Sequence, residues 1–230
     1  MYGVVSELRR NAETPRAVMT EAEALLMAVH YAGMRAKARR IGLPELAAQL
    51  SIALLRFIGI VPCDRAFHEA GIDARAVRWQ AVAFVMLNRY VDLADLLAEA
   101  AEEAGPGGEP RPDFAELDNS DFHGTEVPAP GSFPVPSTQW LGGSAREEVR
   151  DWVLAISMDQ AVAQELPKGS VPLLAQSSQP KCIVTGYPVP PDRLVKCPSC
   201  GSNAIKSAWN AVVLKTKECP WCSAAASPAY

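Results

Sequence analysis

The sequence lacks most of the signatures by which enzymes and membrane proteins are recognised. Its 230 residues contain no phosphate-binding glycine loop, no H-E-x-x-H motif and no G-x-S-x-G nucleophile elbow. No stretch reaches about 18 uninterrupted apolar residues, so we expect no membrane-spanning helix. There is no N-x-S/T glycosylation acceptor, and the N-terminal residues do not resemble a secretory signal peptide. None of the common catalytic or membrane classes is therefore indicated.

Histidine is also scarce. The three histidines, His30, His68 and His123, lie far apart in the sequence, and none sits in a ligand motif. Cys63 and His68 are close enough to suggest a nucleophile and its base, but no third orienting group is evident. We therefore predict no catalytic residue and expect that the chain is not a metabolic enzyme. Cys63 is expected to be a buried core thiol.

Six cysteines carry the strongest signal in the sequence. Cys197 and Cys200 form one C-x₂-C pair, Cys219 and Cys222 form a second, and 18 residues lie between the pairs. Two such hairpins can surround one Zn²⁺ with four thiolates at about 2.3 Å, and Gly201 would relieve the first turn. Four sulfurs leave no open coordination position, so we predict one structural zinc ion. Four reduced thiols packed without metal are the alternative.

The charge is uneven along the chain. The formal net charge is −4, but residues 181–230 carry six Lys or Arg against two Asp or Glu. A basic tail attracts nucleic acid or an acidic protein, whereas four zinc-bound thiolates would remove part of this charge. Interleaved aromatic residues and a strong basic stripe are missing, so nucleic acid is not the expected partner.

Helical spacing dominates the first hundred residues. Thr20 and Glu23 fit a capping box for a first helix. Its predicted apolar side comprises Leu25, Leu26, Val29, Ala32 and Ala36. Asp64 and Asp73 are predicted to cap two further short helices, of which the first ends at Gly71.

These patterns predict a mainly α fold in four parts. Residues 1–104 form a tetratricopeptide-like solenoid segment, with an irregular helical bundle as the alternative. Residues 105–143 form a Pro/Gly-rich acidic linker or strap, and residues 144–166 an additional packing helix. Residues 181–230 form a small four-cysteine α+β module. The apolar anchors of the strap would be Phe114, Leu117, Phe122, Phe133, Val135 and Trp140.

Four stretches of the chain resemble the C-terminal end of the intraflagellar transport protein 172 family. They are residues 87–95 (LNRYVDLAD), 117–122 (LDNSDF), 148–160 (EVRDWVLAISMDQ) and 182–189 (CIVTGYPV). The resemblance covers about residues 50–222 and implies a piece of a much longer scaffold subunit of the ciliary transport train. It implies other intraflagellar transport subunits as partners, and a location in the cilium or flagellum and at the basal body, on the cytoplasmic side.

The same resemblance implies that residues 181–230 are similar to a U-box, a relative of the RING domains of ubiquitin ligases. U-boxes usually lack zinc, so the two cysteine pairs depart from that pattern and leave open whether the module is metal-free. The resemblance implies a module that binds ubiquitin or ubiquitin-pathway proteins. Its alternative is a U-box or RING-type ubiquitin ligase that recruits a conjugating enzyme without a covalent intermediate.

Four residues would form the partner-binding surface that this resemblance implies. By position, Ile183, Trp209 and Pro220 would contact a conjugating enzyme or ubiquitin, and Trp221 would widen the patch. The alternative for Trp209 is a place in the core of the module. If the module is a ligase, it would only hold the conjugating enzyme and its bound ubiquitin in a reactive geometry, whichever role Trp209 has.

Overall fold

The computed structural model describes residues 15–105, 117–129, 138–160 and 177–230, with the single positions 5, 7, 10, 108, 114, 136 and 162. In this part of the chain the α-helices are α1 (Arg16–Arg40), α2 (Pro44–Leu54), α3 (Cys63–Ala76), α4 (Gln80–Ala104), α5 (Gly143–Ser157) and α6 (Lys206–Thr216). Short 3-10 helices cover Leu55–Phe57, Ser120–Phe122 and Pro191–Arg193, and the strands are β1 (Leu194–Lys196) and β2 (Asn203–Ile205). The mainly α prediction is confirmed, and none of the described helices is long and apolar enough to cross a bilayer.

Helix α1 begins earlier than the capping-box prediction placed it. It starts after Pro15, and the hydroxyl of Thr20 donates to the carbonyl of Arg16 at 3.0 Å from inside the helix. The predicted apolar side is also wrong, because Leu25 and Val29 are 40% and 49% exposed. The buried side comprises Ala28, Tyr31, Met34, Arg35 and Ala38. Tyr31 and Arg35 carry polar atoms and were not counted as apolar residues, so the apolar pattern of the sequence did not reveal the buried side.

The two short helices predicted from Asp64 and Asp73 are one continuous helix, α3. Gly71 does not end it but lies against α4, where a Cβ would come within 2.5 Å of two side-chain carbon atoms of Leu87. Asp73 does not cap a helix either, because its carboxylate accepts hydrogen bonds from Arg39 and Ser51. The helix start predicted near Asp64 is therefore confirmed, since α3 begins at Cys63, whereas Asp73 serves a tertiary contact inside the helix.

Two apolar cores hold the fold together. The first lies between α3, α4 and α5, and its largest buried side chains include Leu55, Ile58, Met86, Tyr90 and Leu93. The second is shared by α1, α2 and the C-terminal module. Its members include Tyr31, Met34, Leu46, Leu50, Val184, Val189, Trp209 and Val212. A module of about 50 residues has little core of its own, so the shared core supplies much of the module's buried apolar surface.

The described part of the predicted strap lies on the helices. Leu117 is 8% exposed, and the guanidinium of Arg89 on α4 donates to the carbonyl of Asp118 and to Asn119 Oδ1. The backbone N–H of Trp140 donates to Asp64 Oδ2 at 2.7 Å. Phe133 and Val135, two predicted anchors, lie outside the described residues. Arg89 and Asn119 come from two of the stretches that carry the family resemblance, so the fold brings those stretches into contact.

The C-terminal module combines one hairpin with one helix. Strands β1 and β2 pair antiparallel, with Val195 opposite Ala204. Helix α6 follows β2 directly and presents Trp209, which is 2% exposed, to the shared core. The indole N–H of Trp209 donates to the carbonyl of Ser227 at 3.0 Å, which satisfies the one polar atom of this buried ring.

Candidate metal centre and its docking on the helices

The two cysteine pairs lie on turns with the same backbone pattern. In the first turn, Cys197 N–H donates to the carbonyl of Ser202, and Gly201 N–H returns to the carbonyl of Cys197 at 2.9 Å. In the second turn, Cys219 N–H donates to the carbonyl of Ala224, and Ser223 N–H donates to the carbonyl of Cys219 at 3.0 Å. Gly201 and Ser223 have φ of +71° and +57°, so each turn closes through a left-handed residue. The predicted role of Gly201 in the first turn is confirmed.

These turns bring all four sulfurs of the predicted site together. The Sγ atoms of Cys197 and Cys222 are 3.9 Å apart, as are those of Cys200 and Cys219, and all four lie within 4.8 Å of one another. A tetrahedral Zn²⁺ site with bonds of about 2.3 Å requires sulfur–sulfur separations of about 3.8 Å. The geometry therefore suits one closed, tetrahedral metal ion, and it leaves no open position for a water ligand.

The thiols of the cluster differ in acidity. Burial is the largest influence on the pKa of Cys197, Cys200 and Cys219. It raises the pKa of Cys219 to about 12 and also raises that of Cys200. For Cys197 the backbone N–H groups of Cys200 and Ser199 outweigh burial and lower the pKa to about 7. A metal ion binds thiolates, so binding at this cluster must displace protons from the more basic sulfurs.

Cys182 has a separate role in the module. Its Sγ accepts hydrogen bonds from the backbone N–H groups of Val184 and Thr185 at 3.4 Å and of Ile205 at 3.2 Å. It does not belong to the four-sulfur cluster. The sulfur instead ties the loop of residues 182–187 to the end of β2.

This loop, residues 182–187, docks on the helices and is called the docking loop below. Tyr31 Oη donates to the carbonyl of Cys182 at 3.3 Å, and Tyr187 Oη donates to the carbonyl of Gln49 at 3.3 Å. Gly186 has φ of +79°, and a Cβ there would lie 2.7 Å from the Cβ of Ala53 on α2. The contact is so close that glycine is the residue that fits.

Charged side chains join the helices, the strap and the module at one junction. Glu126 of the strap pairs with both Arg56 and Lys181, and Arg56 Nη1 donates to the carbonyl of Gly186 at 2.7 Å. Burial raises the pKa of Glu126, but the hydrogen bond from Lys181 and the charge of Arg56 outweigh it, and the pKa lies below its ordinary value. Glu126 therefore stays ionised and bridges the two cations.

The four predicted partner-binding residues are not all accessible. Ile183 is 7% exposed and Trp209 2% exposed, so both side chains lie in the shared core. The expectation that Ile183 belongs to an exposed patch is corrected, because α1 covers this residue: His30 Nε2 lies 2.7 Å from its carbonyl oxygen. Pro220 and Trp221 are half-buried, and the Trp221 ring meets His30 edge-on at 4.7 Å between centroids.

Sequence reasoning missed the residues of the docking contact. His30 was taken as isolated, yet burial lowers its pKa and outweighs the carbonyl of Ile183, which raises it. Arg56 and Glu126 gave no signal either, because a charged residue in a helical or linker segment is usually solvated. The stretch 182–189 was a usable signal: it is an almost wholly apolar loop that a small module cannot bury by itself.

The fold and the cysteine cluster together define the class of protein. The chain is a mainly helical protein whose last 50 residues form a four-cysteine module packed into the helical core. No family model matches it. It is 37% identical to "Intraflagellar transport protein 172 homolog" of Danio rerio and 35% identical to that of Homo sapiens, over 97% and 96% of this chain. It is 34% identical to "Intraflagellar transport protein 172" of Chlamydomonas reinhardtii over 100% of this chain.

The chain belongs to the intraflagellar transport protein 172 family. The resemblance seen in the sequence is thereby confirmed. The chain spans 12–13% of the length of these relatives and matches their C-terminal region.

Proposed function

We propose that the chain is a scaffold element of a ciliary intraflagellar transport subunit, in which the helices and the four-cysteine module form one docking body. The names of the relatives support this role, and they imply other transport subunits as partners and a location in the cilium or flagellum. The finer location, at the basal body and on the cytoplasmic side, belongs to the same proposal. The observation that carries the proposal is the core shared by α1, α2 and the module.

The helical part serves as a tetratricopeptide-like array. Two ion pairs between α1 and α3, Arg35–Glu69 and Arg39–Asp73, each join residues that are 34 positions apart. This offset is the length of one tetratricopeptide repeat. Helices α1 and α3 would then be the corresponding helices of two successive repeats, with equivalent positions facing each other. Stacked helices of this kind offer extended surfaces to partner proteins.

One zinc ion shapes the module in this proposal. Cys197, Cys200, Cys219 and Cys222 are the ligands, and the ion would tie the β1–β2 turn to the segment that follows α6. Four thiolates close the coordination sphere, so the metal supplies folding energy rather than chemistry. Elemental analysis of the purified chain tests this: about one zinc per chain is expected, and a chain that folds without any metal would contradict it.

The accessible part of the module is the surface that would bind ubiquitin or a ubiquitin-pathway protein. Of the four predicted residues, Pro220 and Trp221 remain partly exposed. A half-buried Trp held in place by its neighbours is a suitable anchor for a small interface. The ligase alternative is less well supported, because a U-box-like ligase surface would include Ile183 and Trp209, and both lie inside.

A titration separates these possibilities. Ubiquitin is added to the isotope-labelled chain, and we expect shifts at the indole N–H of Trp221 and at the backbone amides around residue 221. The Trp221→Ala variant should abolish the amide shifts. Trp140→Ala is the matched control, since Trp140 is a tryptophan with 41% exposure on another surface. Absence of shifts around residue 221 at millimolar ubiquitin would rule out the binding role.

The ligase alternative has its own assay. The chain is mixed with activating enzyme, a panel of conjugating enzymes and ubiquitin, and chain formation is followed. Chain formation that is lost in Trp221→Ala and kept in Trp140→Ala would favour a ligase over a simple binding module. The scaffold role is tested separately by co-elution of the chain with the other purified transport subunits, and failure to bind any of them would refute it.

A further inference from the structure

We propose that a cavity between the strap and helices α3 and α4 binds an apolar group the size of one ring that carries a neutral hydrogen-bond acceptor. The cavity has a volume of about 170 Å³. Its walls include Phe67, Leu93, Leu117, Phe122 and Val127. An engineered apolar cavity of about 150 Å³ holds benzene, so this cavity is large enough for one aromatic ring or one branched side chain.

Arg89 provides the polar side of the cavity. It is 4% exposed, and its Nη2 donates to the carbonyl of Asp118 and, at 3.0 Å, to Asn119 Oδ1. Its Nη1 has no hydrogen-bond partner among the residues that the structure describes. A buried donor without a partner is costly, so an acceptor brought in by a ligand would complete the hydrogen bonding of this guanidinium.

The surrounding charges select a neutral acceptor. No ion pair of 4.0 Å or less involves Arg89 in the described ranges, but the carboxylates of Asp92, Asp118 and Asp121 act on it from further away. Asp92 lies one turn along α4 from Arg89, and Asp118 is the residue whose carbonyl Arg89 contacts, so acids outnumber the guanidinium charge beside the cavity. An anionic ligand would be repelled by these acids, whereas an amide or ketone oxygen would accept from Arg89 without that penalty. A peptide segment with an aromatic anchor and a free small molecule share this chemistry.

The full chain is titrated with benzamide and with benzoate, which have the same shape and differ in charge, and backbone amide shifts are recorded. We expect benzamide to shift residues 117–127 and the amides around Arg89, and benzoate to bind at least about tenfold more weakly. N-acetyl-phenylalanine amide serves as the peptide-like probe. Tighter binding of this probe than of benzamide indicates a peptide as the natural source, and the reverse order indicates a free small molecule.

Two variants test the two halves of the site. Arg89→Met removes the donor and should weaken benzamide about tenfold, the usual effect of one hydrogen bond. Val127→Phe fills the cavity from the strap and should abolish binding of every probe. Val91→Phe is the size-matched control on α4, because Val91 does not line the cavity. The proposal is overturned if no probe shifts residues 117–127, if benzoate binds as well as benzamide, or if binding survives Val127→Phe.

Discussion

The docking loop makes a sharp prediction at Gly186. Gly186→Ala places a methyl group where φ is +79° and where the Cβ of Ala53 would lie 2.7 Å away. The left-handed backbone costs about 1–2 kcal/mol for alanine. Overpacking a tight contact costs about 1–3 kcal/mol more. We expect a loss of about 2–5 kcal/mol in the free energy of unfolding, or roughly 4–20 °C in the melting temperature of a chain of this size.

Gly201→Ala is the matched control. Gly201 has φ of +71°, but no atom lies within 4 Å of a Cβ built there. Ser223 occupies the corresponding place in the second cysteine turn with φ of +57°, which shows that a side chain fits such a turn. The control variant therefore carries the backbone cost alone, about 1–2 kcal/mol. The difference between the two variants measures the contact between the docking loop and α2.

A second variant tests the identity of that contact. Ala53→Gly removes the methyl group that Gly186→Ala meets, although it costs about 1 kcal/mol by itself in a helix interior. In a double-mutant cycle followed by thermal unfolding, we expect a favourable coupling on the order of 1 kcal/mol. Equal melting temperatures for Gly186→Ala and Gly201→Ala, or a coupling near zero, would show that the loop does not pack on α2 as described.

Three further predictions concern the metal centre and the docking contact. The double variant Cys197→Ser, Cys222→Ser should lose its bound zinc and melt at a lower temperature, and zinc that stays at one per chain contradicts the site. The pKa of Glu126 is lower in the folded chain than its ordinary value of 4.5. Its ionised carboxylate therefore adds stability above pH 4.5, and this stability is lost as the pH falls through the folded-state pKa. Glu126→Gln should therefore flatten the acid limb of melting temperature against pH, and an unchanged limb argues against the junction. Burial lowers the pKa of His30, so the unfolded chain takes up its proton first, and stability should fall as the pH drops below 6.5. His30→Gln should weaken this dependence without removing it, because burial lowers the pKa of His68 in the same direction. A variant with the same pH profile as the parent chain would refute the assignment to His30.

The cysteine turns could be predicted because their geometry is local. Cys197 and Cys200 lie on one five-residue turn, and the hydrogen bond from Gly201 N–H to Cys197 closes it within the same stretch of sequence. Spacing alone therefore placed two sulfurs on one side of each turn. Only β2 and α6 lie between the two turns, a connection too short to allow many alternatives.

The docking of the module could not be predicted in the same way. Tyr31 and Cys182 are in contact across 151 residues, and His30 meets Ile183 across 153. No local sequence pattern reveals a contact between residues so far apart in the chain, so Ile183 was interpreted as a surface residue from its position alone. Burial of Ile183 by α1 is a tertiary property that becomes visible only when both parts of the fold are present.

Helix boundaries failed for a related reason. Asp64 and Asp73 are residue types that favour helix N-termini, and both were interpreted in that way. In the fold, Asp64 does lie in the first turn of α3 and accepts from the backbone N–H groups of Arg65 and Trp140. Asp73 lies inside α3 and accepts from Arg39 and Ser51. A buried carboxylate needs such partners, and a single sequence does not say whether the partner is the helix's own backbone or a distant side chain.

Cysteine sulfur atoms stabilise the module at two places and in two different ways. At one end four thiols converge within 4.8 Å of one another, where a metal ion can cross-link segments that have little core of their own. At the other end the single sulfur of Cys182 accepts three backbone N–H groups, and the helices supply the apolar surface that covers it. Cys197 and Cys219 are themselves buried members of the core shared with α1 and α2, so the helices also pack against the metal cluster. The proposed zinc ion would therefore add a cross-link between the β1–β2 turn and the segment after α6 to a module that packing already holds on the helices.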